Sequence, residues 1–262
     1  MAWNDYENSA TRSRVHVRML HRDECAAADD LLISLWDASP TPTALLMAME
    51  HAGSYVAGAF DGDRMVGVCV GFFGAPGEGT LHSHVAGVLP NAAGRGVGTT
   101  MKLHQRAWCL DRGVGEMTWT FDPLVARNAA FNVRRLGATL DEYLVDFYGV
   151  MTDGVNVGQG SDRMLARWRL NDALPSRSRD IGQAHAALGV GADGEPVVGG
   201  APHDAAAVTM AVPDDIEQLR RSNPELAAAW RLALRAVMVP RWDRGWRPTV
   251  VGRDGCYLME AP

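Results

Sequence analysis

Two histidines, His82 and His84, stand two residues apart in the apolar run from Leu81 to Leu89, which ends at Pro90. Alternation along a strand puts both imidazoles on one face, and a neutral imidazole suits proton removal near neutral pH. The same spacing fits equally well a pair of hydrogen-bonded, partly buried histidines. Metal binding is the weakest reading, because nothing near them has the spacing to complete a ligand set, and no metal is expected. Asp122, in Asp122-Pro123, could hold an amine or relay a proton; an Asp-Pro step more often marks a turn and a helix start.

Beyond the strand, Gly94, Gly96 and Gly98 alternate with Arg95 and Val97, and a helical pattern follows from Thr99. The first turn of a helix carries N–H groups without internal partners at the positive end of its dipole, which makes it an anion site. Glycines let a phosphate approach the backbone, and Arg95 could add charge to the rim. A dinucleotide fingerprint would need glycine where Thr99 stands, and a Walker loop would need a Gly-Lys-Ser/Thr ending, so neither fits. A tight turn serving geometry alone is the plainer alternative.

These residues need a scaffold, and the chain is long enough for one. It has 262 residues, 47% hydrophobic content and a net charge of -6, which gives no basic field for nucleic acid or an anionic membrane. The start, 1–14, is polar and lacks a signal-peptide core, so a cytoplasmic protein is expected. Cys25, Cys69, Cys109 and Cys256 are scattered, without paired spacing. After the polar start, read as floppy, come a short strand (Val15 to Met19), a helix (Arg22 to Trp36) and a helix from Ala44 to His51 capped by Thr43. Ser54 to Phe60 and Met65 to Phe73 flank Asp61-Gly62-Asp63, a hairpin signal. Then follow the strand Thr80 to Leu89, the helix after Gly98, the strand Gly115 to Phe121, and a helix from Asn128 to Leu136 closed by Gly137. Strands near Thr139 to Tyr148 and Met164 to Leu170 flank a glycine-rich loop. The stretch 171–206 reads as a linker or irregular excursion, and 207–262 as a smaller C-terminal module. That module holds a short helix (Asp214 to Arg221), a longer one begun by Asn223-Pro224 with Leu226, Trp230, Leu234 and Val237 on one face, and a hairpin around Asp254-Gly255.

The element order, Val88-Leu89-Pro90 and Gly94-Arg95-Gly96-Val97-Gly98 together resemble the GNAT acyltransferase (N-acetyltransferase) superfamily over roughly 15–170. The segment Arg127-Asn128 through Leu136-Gly137-Ala138 resembles its second motif. His82-Ser83-His84 and Asp122-Pro123-Leu124 resemble a less characterised branch. The resemblance implies an α+β fold, a mixed, mostly antiparallel sheet flanked by helices, with the fourth strand splitting from the fifth to admit the pantetheine arm of an acyl-CoA. It implies that backbone at Val97, Gly98 and Thr99 holds pyrophosphate, with Gly94, Arg95 and Gly96 shaping the loop. Fourth-strand N–H groups around Ala86 to Leu89, including Val88, would serve the oxyanion; Asn128 would meet the pantetheine amides and Asn132 continue that lining. Two positions depart from the family pattern: Ala93 stands where many members have Gln or Arg, and Val133 where many have a tyrosine acid. Tyr143 and Tyr148 are substitute acids unless their hydroxyls merely edge the core.

The implied activity moves an acetyl or short acyl group from acetyl-CoA or another acyl-CoA to an amine of a small molecule, with His84 or His82 as base and Asp122 assisting. The rivals are a non-catalytic acyl-CoA-binding regulatory protein and a structural role in which 171–262 mediate assembly, for instance as a homodimer through the Trp230 face.

Overall fold

The computed structural model of the protein describes residues 2–149, 160–175, 184–202, 205–250, 252 and 254–262. They form two compact units, Met1–Trp119 with Arg169–Asp172, and Thr120–Trp168 with Ala173–Pro262. The glycine-rich loop after Tyr148 lies largely outside the described residues, as do 176–183 and 203–204 of the expected linker and 251 and 253 of the final hairpin.

In the first unit, β1 (His16–Met19), β2 (Tyr55–Asp61), β3 (Arg64–Phe73) and β4 (Thr80–Val88) pair antiparallel in chain order, and β5 (Glu116–Phe121) runs parallel to β4. The β2–β3 turn is the expected one: Asp61 pairs with Arg64, and Gly62 takes the positive φ of 60° that a two-residue hairpin loop needs. One side of this sheet buries Leu20, Val56, Phe60, Val68 and Val70 with Ala28, Leu31, Leu32 and Leu46, which come from α2 (Cys25–Trp36) and α3 (Thr43–His51). Asp29 ties these helices together by accepting the backbone N–H (2.7 Å) and the hydroxyl (2.6 Å) of Thr43. Thr43 is therefore the first helical residue and not the cap; Pro42 stands at the cap position.

The polar start is ordered, contrary to the sequence expectation: Ala2–Ser13 form α1, packed on α4 (Val97–Leu110). Its contact face consists of aromatic rings and hydroxyls, a composition with little apolar periodicity to read. Trp3 and Tyr6 meet His104 edge-on at 5.4 and 5.0 Å, and the Ser9 and Ser13 hydroxyls each lie 2.9 Å from that of Thr100. Arg106 donates to Asp5 at 2.8 Å. Covered by α1 and by the sheet, α4 is buried nearly all round, so even Lys102, His104, Gln105 and Arg106 are inside.

In the second unit, β6 (Thr139–Leu144) and β7 (Arg163–Arg169) pair antiparallel. The segment α5 (Ala126–Ala130) widens into a π-helix over Phe131–Leu136 and ends at Gly137, with φ of 81°. A separate sheet has the order β11-β12-β10-β8-β9, formed by β8 (His185–Val190), β9 (Pro196–Val198), β10 (Ala207–Met210), β11 (Arg247–Val250) and β12 (Tyr257–Glu260). The strands β8 and β9 thus occupy part of the stretch read as irregular; they are short and bury mainly Ala187 and Leu188, too few apolar residues for a strand pattern. Gly255 has φ of 75°, and a Cβ there would lie 2.5 Å from the Ala126 Cα, so the final hairpin needs glycine to close on α5. The helices α6 (Ile216–Ser222) and α7 (Pro224–Asp243) start at Asp215 and Asn223, whose side chains accept the Gln218 and Leu226 N–H groups. Trp230 is fully buried, donating to the Gly194 carbonyl at 2.9 Å, and α7 packs on β8 and β9. The Trp230 face is therefore covered within its own unit and is not a surface for a second copy.

His104 makes the α1–α4 contact pH-sensitive. It is 6% exposed, shares a 2.8 Å hydrogen bond with the Tyr55 hydroxyl, and burial followed by the charge of His16 pushes its pKa down to about 4. An unfolded chain takes up this proton near pH ~6.5, whereas the native chain resists until about pH 4. Stability should therefore fall as the pH drops through that window, by up to about 1.4 kcal/mol per pH unit. In thermal melts from pH 6.5 down to 4, His104→Gln should show a shallower decline in Tm than the unaltered protein.

Candidate functional site

The parallel ladder between β4 and β5 is short: Thr80 pairs with Glu116, Leu81 with Met117 and His82 with Thr118, and there it ends. From Ser83 onward β4 keeps β3 as its partner on one edge only, among the described residues. A register shift sits at the same place, Val70 opposing Val85 while Gly71 opposes Ser83, so His84 is the extra residue of a β-bulge. The Leu89 N–H donates to the Val66 carbonyl at 2.9 Å. Because amides alternate in direction along an antiparallel strand, those of Val88 and Ala86 face the open edge and that of Leu89 does not. This corrects the expectation for Leu89: its amide is already committed to β3.

The strand leads through the short turn Pro90–Ala92 into the glycine run. Gly94 and Gly96 have φ of 75° and 88°, so the chain geometry demands them. Gly98 differs, having no positive φ, and a Cβ placed on it meets nothing within 4 Å. Neither backbone strain nor protein crowding accounts for this glycine, whereas a ligand against the helix start would. The first helical acceptor bond of α4 belongs to Thr100, whose N–H reaches the Gly96 carbonyl at 3.0 Å, and Gly96 has no side chain to cap the turn. The amides of Val97, Gly98 and Thr99 therefore point out of a fourteen-residue helix with no intrahelical partner. Arg95 does not serve this rim as expected: Asp61 accepts from its guanidinium at 2.7 Å and the Ser13 carbonyl lies at 3.4 Å, drawing the charge toward the β2–β3 hairpin.

The bulge leaves His82 and His84 as neighbours, with ring centroids 6.5 Å apart, both against Phe72 at 5.1 and 5.9 Å. They differ in environment. His82 is half-buried, with Nδ1 3.4 Å from the Thr118 hydroxyl; burial, then His84 and Lys102, push its pKa down to about 4. It is neutral at pH 7 and a weak proton acceptor. His84 is exposed, with Nε2 3.4 Å from the Pro40 carbonyl. Among the described residues, no group of three or more His, Cys, Asp or Glu could hold a metal ion.

Asp122, Asn128 and Asn132 belong to the second unit. The Asp122 carboxylate is 8% exposed; Arg231 donates to it at 2.7 Å, Arg220 also donates, and Arg163 stands 3.8 Å away. Its other oxygen accepts the Leu124 N–H at 2.9 Å. Burial works to raise its pKa, but Arg231 and Arg220 outweigh burial and hold it below the usual carboxylate range. A carboxylate so engaged is an anchor for arginines, and the proton-relay reading of Asp122 falls with that geometry. Asn128 is exposed, whereas Asn132, in the π-helical segment, is 4% exposed, so the two do not share one exposed face. Tyr143 donates to Asp162 at 2.7 Å; burial, then the Asp162 charge, push its pKa far up, so its proton is not available. Tyr148 follows the end of β6 and is half-exposed, its hydroxyl 3.0 Å from that of Thr120.

Residues 20–138 match the sequence profile of the acetyltransferase (GNAT) family. In structure, the chain is similar to a ribosomal-protein-alanine N-acetyltransferase from Brucella melitensis, at 16% identity over 59% of this chain and 99% of that one, with a TM-score of 0.50; at this identity the likeness shows the fold. It is also similar to yncA of Salmonella typhimurium, whose structure includes its cofactor acetyl-CoA (18% identity, 62% and 98% coverage, TM-score 0.49). A third is an Arabidopsis thaliana protein in complex with the bisubstrate analogue CoA-Ac-MVNAL (16% identity, 59% and 97% coverage, TM-score 0.49). No curated protein matches the chain in sequence.

Two outcomes follow from this geometry. Gly98→Trp should leave the melting temperature without ligand nearly unchanged while abolishing the upward shift that CoA gives the unaltered protein; equal shifts in both would remove the turn from the site. Asp122→Asn should destabilise the fold by about 3–5 kcal/mol in urea titrations, because the surrounding guanidiniums lose a buried counter-charge.

Proposed function

We propose that the chain transfers an acetyl or short acyl group from an acyl-CoA to the amine of a small molecule, a reading supported by the match of residues 20–138 to the acetyltransferase (GNAT) family. The observation that carries this reading is the β4–β5 ladder ending at His82, which leaves an edge of β4 open as far as the connection to three unpartnered helix amides. No helix of the described residues is long and apolar enough to cross a membrane. We propose the cytoplasm as its compartment, donor binding within 15–170, and an accessory role for the 207–262 module.

An acyl-CoA brings an activated thioester carbonyl. The amides of Val97, Gly98 and Thr99 would bind its pyrophosphate, a contact worth roughly 0.3–1 kcal/mol from the helix dipole and more where partly buried. The Ala86 and Val88 N–H groups would donate to the carbonyl oxygen as charge develops on it. His84, the more accessible imidazole, would take the proton of the attacking ammonium. His82 would stay neutral beside it, so that the reactive edge carries no competing positive charge. Asn128 is proposed to donate to the amides of the donor arm; Asn132, being buried, is proposed to support the helix that carries it. With valine at 133 and Tyr143 committed to Asp162, no side chain is assigned as acid. A thiol of ordinary acidity can depart as thiolate near neutral pH. The rival reading, binding without turnover, draws on Val133 and Ala93, and turnover itself decides between the two.

With a panel of small amines, His84→Ala should slow CoA release more than about tenfold, since general-base catalysis is commonly worth ~10²-fold or more, His82→Ala should slow it less, and both should keep the CoA-induced melting shift. Losses under about tenfold in both would take the base role away from β4.

A further inference from the structure

Among the described residues, Lys102 is a buried ammonium with no carboxylate partner. It is 5% exposed, on α4, and its Nζ donates to the Ser83 hydroxyl at 2.6 Å and to Gln105 Oε1 at 3.3 Å. On β5 the same nitrogen lies 3.9 Å from the Met117 sulfur and 4.3 Å from the centre of the Trp119 ring. The other titratable groups coupled to it are the His82 imidazole on β4 and the thiols of Cys69 on β3 and Cys109 on α4. Burial raises the pKa of both thiols, Cys109 to about 12, so neither is a thiolate counter-ion. Burial correspondingly lowers the pKa of Lys102 itself.

Its position coincides with the end of the β4–β5 ladder. Ser83 is the first β4 residue beyond the last β5 pair, His82↔Thr118, and it immediately precedes the bulged His84. One ammonium therefore grips β4 through a hydroxyl, and β5 through a sulfur and an aromatic face, where the strands stop pairing. Burying such a charge is unfavourable, and an apolar chain of similar volume is often neutral or stabilising at such a site. Packing alone would favour methionine here.

We propose that Lys102 is a positioning residue for the acyl transfer, pinning the fork between β4 and β5 and thereby setting the bulge that presents His82 and His84. This rests on the transferase reading above. It acts through Ser83, whose hydroxyl also donates to Gln105 at 2.9 Å, so the strand is tied to α4 by a closed triangle of polar groups. Its charge adds to the action of His84 and burial in keeping His82 free of a proton; the other groups around that ring are Thr118 and Phe72.

Lys102→Met separates this role from a structural one. The variant should melt at the same temperature or higher, yet show kcat reduced by about tenfold or more, with the KM for acyl-CoA within about twofold, since small misplacements at a reacting centre act mainly on the chemical step. The imidazole NMR titration midpoint of His82 should move upward relative to that of the unaltered protein. Ser83→Ala should also lower kcat, and the double variant should be no slower than Lys102→Met alone, as expected of residues acting in series. A Lys102→Met protein with lower stability and unchanged kcat would overturn the proposal. Should that variant fail to fold, Ser83→Ala decides, and wild-type kcat in it would overturn the proposal. If the unaltered protein turns over no amine, the transferase reading fails, while the His82 midpoint still judges Lys102: a rise supports the pinning contact and no change overturns it.

Discussion

The hydrogen-bond ladder between β4 and β5 closes after His82↔Thr118, and the rest of the first unit is arranged around that interruption. Backbone amides are obligatory donors, so an edge left open in mid-strand is tolerated only where water or a ligand can meet it. Here the open edge begins beside two imidazoles and runs toward the start of α4, where three further amides lack partners. Unpaired strand amides and unpaired helix amides lie at the two ends of the connection 89–96, which includes the short turn Pro90–Ala92. A ligand with a carbonyl at one end and an anion at the other matches that distribution of donors.

Keeping the fork open requires the remaining elements to be firm. The helix α4 is buried by the sheet on one side and by α1 on the other, at the expense of enclosing several polar side chains. Most of them have specific partners: Thr100 bonds the Ser9 and Ser13 hydroxyls, His104 the Tyr55 hydroxyl, and Arg106 both Asp5 and the Leu170 carbonyl. Lys102 alone among these is a charge balanced only by neutral groups. The unfavourable group thus sits at the fork, while the others fasten α1 and the return of the chain at Leu170.

Much of this was legible in the sequence, for reasons that can be named. Asp61-Gly62-Asp63, Gly137 and Asn223-Pro224 are local devices, each satisfied within a few residues, and the structure uses them as read. The glycine run before a helix was legible because Gly94 and Gly96 meet a backbone requirement. What escaped was non-local. The order of α1 depends on hydroxyl and ring contacts to residues about a hundred positions away. The bulge at His84 is a property of pairing with β3, invisible in β4 by itself, and it decides which amides face the open edge. Arg95 and Asp122 carry the right charges for a site, but their partners, Asp61, Arg220 and Arg231, lie far along the chain and claim them for structure. Lys102 left a trace, a lysine within an otherwise enclosed helix, but periodicity treats such a residue as a solvated face.

The distribution of ionised groups narrows how protons could move. In the second unit, Asp122 and Asp162 are both engaged by arginines, and the Tyr143 hydroxyl donates a hydrogen bond to Asp162. Groups so engaged resist changing protonation state, because each change would leave a buried partner uncompensated. In the first unit, the titratable side chains at the open edge are His82 and His84, and their unequal exposure separates their roles. His82, held neutral by burial and by its neighbours His84 and Lys102, can orient but is a poor proton acceptor. In the proposed transfer, proton removal is assigned to His84, the bulged residue, whose Nε2 lies 3.4 Å from the Pro40 carbonyl. A base on a bulge is placed by strand register more than by its own hydrogen bonds, so reactivity here depends on what fixes that register, and the Lys102–Ser83 contact is the polar tie nearest to it.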